Sequence, residues 1–202
     1  MKGTWLPLAV TLAIQAMVSM ALLTLPVMAP VVALALGVSA AYTGLYVAVV
    51  YAGAVLASLS AGAAVARFGA IRVSQVGLAL CAAGLALCAV PWLPSVALGA
   101  LFIGLGYGPI TPASSHLLAL TTPAHRMSLV FSVKQTGVPL GGVVAGACVP
   151  GLALLVGWQG ALLVTSAACI LCAFAAQPLR RELDTDRDPG AFFALGDLAQ
   201  PV

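Results

Sequence analysis

The stretch Trp5-Leu6-Pro7-Leu8-Ala9-Val10-Thr11-Leu12-Ala13-Ile14-Gln15-Ala16-Met17-Val18-Ser19-Met20-Ala21-Leu22-Leu23-Thr24-Leu25-Pro26-Val27 contains no charged side chain. A helix needs about 20 apolar residues to cross the roughly 30 Å hydrocarbon core of a bilayer, and this run supplies them. It is longer than the apolar centre of a cleaved signal peptide, about 7–15 residues. Cleavage would also leave an odd number of spans and move the charge-free loops to the wrong side. The run reads as an uncleaved first span.

The pattern recurs outward along the chain. Sixty-four uncharged residues lie between Lys2 and Arg67, and 53 between Arg72 and Arg126. Another 53 positions separate Arg126 from Arg180, with Lys134 as their one charge. Each block holds two spans and a connection, which predicts six helices at about 6–27, 43–66, 73–90, 95–118, 129–150 and 158–176. The hairpins should turn around Pro26, Pro30 and Gly37–Tyr42, at Pro91-Trp92-Leu93-Pro94, and near Pro150 and Gly157-Trp158-Gln159. The expected fold is an all-α membrane protein, with a transmembrane domain over 1–176 and a mixed-charge cytoplasmic linker or tail over 177–202.

Composition agrees. Of 202 residues, 62% are hydrophobic and 6% charged, with a mean hydropathy of +1.14, whereas soluble domains carry about 25% charged residues. That excludes a soluble enzyme, a disordered tail and a nucleic-acid partner; the expected surroundings are a lipid bilayer. All five acids (Glu182, Asp184, Asp186, Asp188, Asp197) follow position 181. With six spans, Lys2, Arg67, Arg72, Arg126, Arg180, Arg181 and Arg187 fall on one side, together with both termini. The positive-inside rule makes that side cytoplasmic. The cysteines (Cys81, Cys88, Cys148, Cys169, Cys172) lie in apolar runs and read as packing residues. No metal, cofactor or catalytic set is expected.

Helices in lipid associate by close backbone approach. Ala54, Ser58, Gly62 and Ala66 recur every fourth residue in span two, as do Gly104/Gly108 in span four and Gly137/Gly141 and Gly142/Gly146 in span five. Pro26 and Pro30, Pro109 and Pro112, and Pro139 interrupt spans one, four and five. If the six helices form two three-helix repeats, interrupted spans one and four occupy equivalent positions, a pointer to a transport pathway.

Two motifs look familiar. Gly62-Ala63-Ala64-Val65-Ala66-Arg67-Phe68-Gly69-Ala70-Ile71-Arg72 resembles the loop between helices two and three of the major facilitator superfamily, G-x-L-a-D-R-x-G-R-K. Gly62, Arg67 and Gly69 match; the family's aspartate is Ala66 here, and its basic pair is reduced to Arg72. Gly137-Val138-Pro139-Leu140-Gly141-Gly142 is similar to the family's G-P-x-x-G-G element. The wider runs Phe131–Gly142 and Tyr107–Ser115 look like a group of bacterial permeases in that superfamily. The resemblance covers about 1–190. It implies an alternating-access secondary transporter in a bacterial inner (cytoplasmic) membrane. It also implies an N-terminal half of the usual twelve helices, so a truncated product, a second copy or a separate six-helix half is expected.

Lys134, about 7 Å inside span five at 1.5 Å per residue, is the charge at membrane depth and a functional suspect. Its long stem equally allows snorkelling to the interface. Gln135 is a candidate hydrogen-bonding neighbour, and Gln15 is a lone amide in span one that faces either solute or another helix. Tyr51 and Tyr107 either line the pathway or pack. His116 is a proton-relay candidate, and His125 reads as interfacial. One cation and no carboxylate in the spans favour a small anionic or neutral solute. By resemblance, Gly62, Arg67, Gly69 and Arg72 would form a cytoplasmic gate, and Gly137, Pro139, Gly141 and Gly142 would let span five bend and pack. The alternatives are an inactive half-transporter or membrane scaffold, and an intramembrane serine protease using Ser114 or Ser115 with His116. The protease reading lacks a G-x-S-x motif at Ser114 or Ser115 and any histidine after position 125.

Overall fold

A computed structural model describes residues 2–184, with side chains from Trp5 onward. Asp186, Arg187, Asp188, Asp197 and most of the expected 177–202 tail lie outside the described residues.

Every element among the described residues is helical, because in hydrocarbon each backbone N–H and C=O must be satisfied within its own segment. The elements are α1 (Lys2–Val27), α2 (Ala29–Leu36), α3 (Tyr42–Leu59), α4 (Ala61–Phe68), α5 (Ala70–Cys88), α6 (Leu93–Tyr107) and α7 (Ile110–Thr121). A 3₁₀ turn (Ala124–Arg126) leads into α8 (Met127–Gln135), α9 (Gly137–Ala175) and the short α10 (Arg180–Leu183).

Five apolar runs in the described residues are long enough to cross a membrane, where the sequence predicted six spans: Trp5–Val27, Tyr42–Leu59, Ala70–Cys88, Leu93–Thr121 and Ala124–Ala175. The last holds 52 residues, about 78 Å of helix at 1.5 Å per residue. It is broken at Gly157, whose φ of 75° and ψ of 167° suit glycine alone. The expected fifth and sixth spans lie on either side of that break, inside one run.

The breakers act as expected in kind but not always in place. The first hairpin does not turn at Pro26 and Pro30. Helix resumes after Met28, with Pro30 in the first turn of α2, where its missing N–H costs nothing. The reversal comes after Gly37, left-handed at φ 66°. Spans four and five break at Gly108-Pro109 and at Thr136, next to the expected prolines. Span two breaks at Ser60 with no proline to announce it.

α1 packs on α9, α5 lies against both α6 and α9, and α3 covers α6. The α5–α6 contact is made by glycines seven residues apart on antiparallel helices. Gly77 faces Gly106 and Gly84 faces Gly99, so closely that a Cβ at Gly77 would stand 2.6 Å from the Gly106 carbonyl oxygen. On the other side of α6, Gly104 meets Val50 and Gly108 meets Ala54 of α3. Half of the small-residue stripe in span two therefore packs, through Ala54 and Ser58. Around Gly62 the space is open.

Candidate functional site

Lys134 lies near the end of α8, and its side chain is 1% exposed. The ammonium does not reach back to the interface. It points into the bundle, donating to the Ser115 hydroxyl at 3.2 Å and the Thr111 carbonyl at 3.4 Å. Among the described residues no carboxylate pairs with it.

Thr111 joins Lys134 to Gln15. Its hydroxyl donates to Gln15 Oε1 at 3.4 Å, and its carbonyl also accepts from Ser114 at 3.0 Å. Gln15 is fully buried, and its Nε2 has no hydrogen-bond partner. Such a group costs about 1–3 kcal/mol when nothing accepts from it. Gly137 lets α9 close on the Gln15 side chain, and Gly141 sits against Ala16 and Ser19. Elements α1, α7 and α8 thus meet in one polar cluster that runs from the buried Lys134 and Gln15 to the exposed Thr111.

At the end of α6, Tyr107 packs edge-on against Tyr51, with ring centroids 6.3 Å apart and planes at 86°. Tyr51 is half exposed and Tyr107 partly buried. Gln135 and His116 are exposed, so neither joins Lys134 in the interior. Pro139 is exposed in the first turn of α9, and a Cβ at Gly142 would meet only the Leu23 side chain.

Thr111 and Ser115 were not singled out for this cluster by the sequence reading. A signal was available: Thr11, Gln15 and Ser19 are all buried and recur every fourth residue, marking one polar face of α1. The prolines explain a further contact. Pro112 has no N–H for the Gly108 carbonyl, and Ser58 of α3 donates to that oxygen at 3.2 Å.

At the α4–α5 loop, Arg67 stacks over Phe68 at 5.3 Å, and Arg72 reaches Gln75 at 3.5 Å. Gly69, at φ 90°, lies against the carboxylate of Asp184. That carboxylate accepts the backbone N–H of Ile71 at 2.8 Å and of Arg72 at 3.0 Å, capping α5. Gln75 adds hydrogen bonds to Gln177 at 2.7 Å and to the Ala173 carbonyl at 2.9 Å. The chain leaving α9 is therefore tied to the loop between α4 and α5.

The sequence profile of the Major Facilitator Superfamily matches residues 8–195. The chain belongs to the major facilitator superfamily. It is an integral membrane protein of a family of membrane transporters, whose members are not enzymes. No relative among curated proteins matches the sequence. The superfamily match spans the Lys134 cluster, the glycine-lined α5–α6 contact and the Asp184 cap together.

Proposed function

We propose that this chain works as a secondary transporter by alternating access for a small anionic or neutral solute. Its six spans, counting two within Ala124–Ala175, form two three-helix repeats and act as an N-terminal half. A second half, or a second copy, completes the pathway. The cytoplasmic side holds both termini, in an inner membrane.

The observation that carries this reading is the buried Lys134 ammonium, held by Ser115 and Thr111 with no carboxylate paired to it among the described residues. A protein tolerates such a cation in a bilayer mainly where it serves a solute or ion path. Gly62, Arg67, Gly69 and Arg72 serve as the cytoplasmic gate in this reading, and Gly137, Pro139, Gly141 and Gly142 as the flexible part of span five. The test is solute counterflow in proteoliposomes holding the protein as made from its native gene. Flux of at least one small anion or neutral solute, lost in Lys134→Met, is expected. A folded protein that moves none of a broad panel would refute the transporter reading.

A further inference from the structure

We infer that the Lys134 cluster is a binding site for a small organic monocarboxylate, its carboxylate held between Lys134 and Gln15 and its apolar body lying against Tyr107. The inference deepens the transporter reading and rests on it for the solute's route to the site.

Charge comes first. Lys134 contributes one full positive charge, 1% exposed, and no carboxylate among the described residues neutralises it. Desolvating an ion costs several kcal/mol unless an opposite charge offsets it. A single negative charge answers that cost; a dianion would leave one charge buried and unmatched.

Hydrogen-bonding capacity selects the kind of anion. The Lys134 ammonium and the Gln15 amide both approach Thr111, one at its carbonyl and the other at its hydroxyl, each at 3.4 Å. The ammonium carries three N–H donors and spends them on two long contacts. Gln15 Nε2 is buried and has nothing to donate to. Two separate nitrogen donors with unused capacity suit the two oxygens of a carboxylate, which accepts and never donates when ionised. The Ser115 hydroxyl, already at 3.2 Å from Lys134 Nζ, is placed to follow the ligand.

The neighbouring surface favours an organic anion over an inorganic one. Tyr107 lies beside Ser19 of α1, which is one turn from Gln15 on the same face of that helix. Its ring and that of Tyr51 meet edge to face. The ring faces take up a short alkyl or aromatic body, a contact for which nitrate and chloride have no apolar surface.

The protein from its native gene, reconstituted in nanodiscs, is titrated with benzoate and butyrate, with benzamide and butyramide, and with sodium nitrate, reading the thermal transition. Both carboxylates should raise it saturably, while the amides and nitrate do not. Lys134→Met should abolish the response without lowering the unliganded transition. Gln15→Leu should weaken affinity about tenfold, and Tyr107→Ala should weaken benzoate more than butyrate. Equal response to benzamide or nitrate, a full response in Lys134→Met, or no response of folded protein to either carboxylate would overturn the site. Counterflow separates this claim from the one beneath it. Carboxylate binding without flux of any solute sinks the transporter and supports the site; flux of another solute without carboxylate binding does the reverse.

Discussion

Asp184 and Ile71 stand 113 positions apart in the chain and are joined by a hydrogen bond of 2.8 Å from the Ile71 N–H to Asp184 Oδ1. The second oxygen takes the Arg72 N–H, so one carboxylate satisfies two of the donors that the first turn of α5 leaves open. Arg180 Nε stands 3.9 Å away as a distant counter-charge. Negative charge is favoured at this end of a helix by the macrodipole. The acid thus ties the exit of the last long helix to the loop that carries the Gly62–Arg72 motif.

Asp184→Ala should lower stability by about 1–2 kcal/mol, the usual worth of a cap strengthened by charge. Asp184→Asn keeps the acceptor oxygen and should lose roughly half as much. Detergent-solubilised protein melted in the presence of a thiol-reactive dye, which reports exposure of buried Cys81 and Cys88, gives the comparison. Equal transitions for wild type and Asp184→Ala would remove the cap from any account of stability.

Gly69 is constrained twice, by its φ of 90° and by the carboxylate its Cβ would strike. Gly69→Ala should cost about 1–3 kcal/mol, more than loss of the acid itself. In an Asp184→Gly background the collision disappears and only the backbone strain remains, so the two substitutions should be less than additive. Strict additivity in the same melting assay would show that the two residues do not meet.

The glycines divide into those a side chain cannot replace and those it can. Gly106→Val would drive a side chain into Gly77 and Cys81, and should abolish a monodisperse peak in size-exclusion chromatography. Gly62→Ala meets nothing within 4 Å and should stabilise α4 by up to about 1 kcal/mol through helix propensity. A destabilised Gly62→Ala would mean that the open space there is filled in the working protein.

Ser58→Ala leaves the Gly108 carbonyl without its donor and should cost about 1 kcal/mol. Pro112→Ala restores an N–H of the helix's own to that carbonyl. Against the Pro112→Ala background, Ser58→Ala should cost measurably less than it does in the wild type. A double-mutant cycle in thermal stability reads the difference; zero coupling would break the link between proline and serine.

Much of this architecture is legible before any folding is considered. Charge spacing located the apolar runs, turn residues marked the break region at Gly157, and Pro109 and Pro139 marked the neighbourhood of two further interruptions. The Ser60 break was not legible, because Ser60 lacks any covalent feature that stops a helix. The first turn falls at the Gly37–Tyr42 part of the expected region and not at Pro26 or Pro30, because proline tolerates the first turn of a helix and the positive φ at Gly37 reverses the chain. Gly62 and Gly108 share the same small-residue spacing, and nothing local says that only Gly108 finds a partner.

The amino-acid sequence by itself determined that this protein is helical, lives in a bilayer and belongs to a transporter superfamily. Those properties follow from hydropathy, from backbone hydrogen bonding that hydrocarbon makes obligatory, and from short motifs. It also singled out Lys134, because a charge in an apolar run is visible without coordinates. Only the tertiary structure decided what Lys134 faces. Thr111, Ser115 and Gln15 come from α7 and α1, and their convergence depends on how closely Gly137 and Gly141 let the helices approach. The same holds for Asp184, a tail residue in the sequence that becomes a cap once the bundle brings α5 beneath it. Periodicity reports the face a residue occupies; packing distance alone decides which other face it meets.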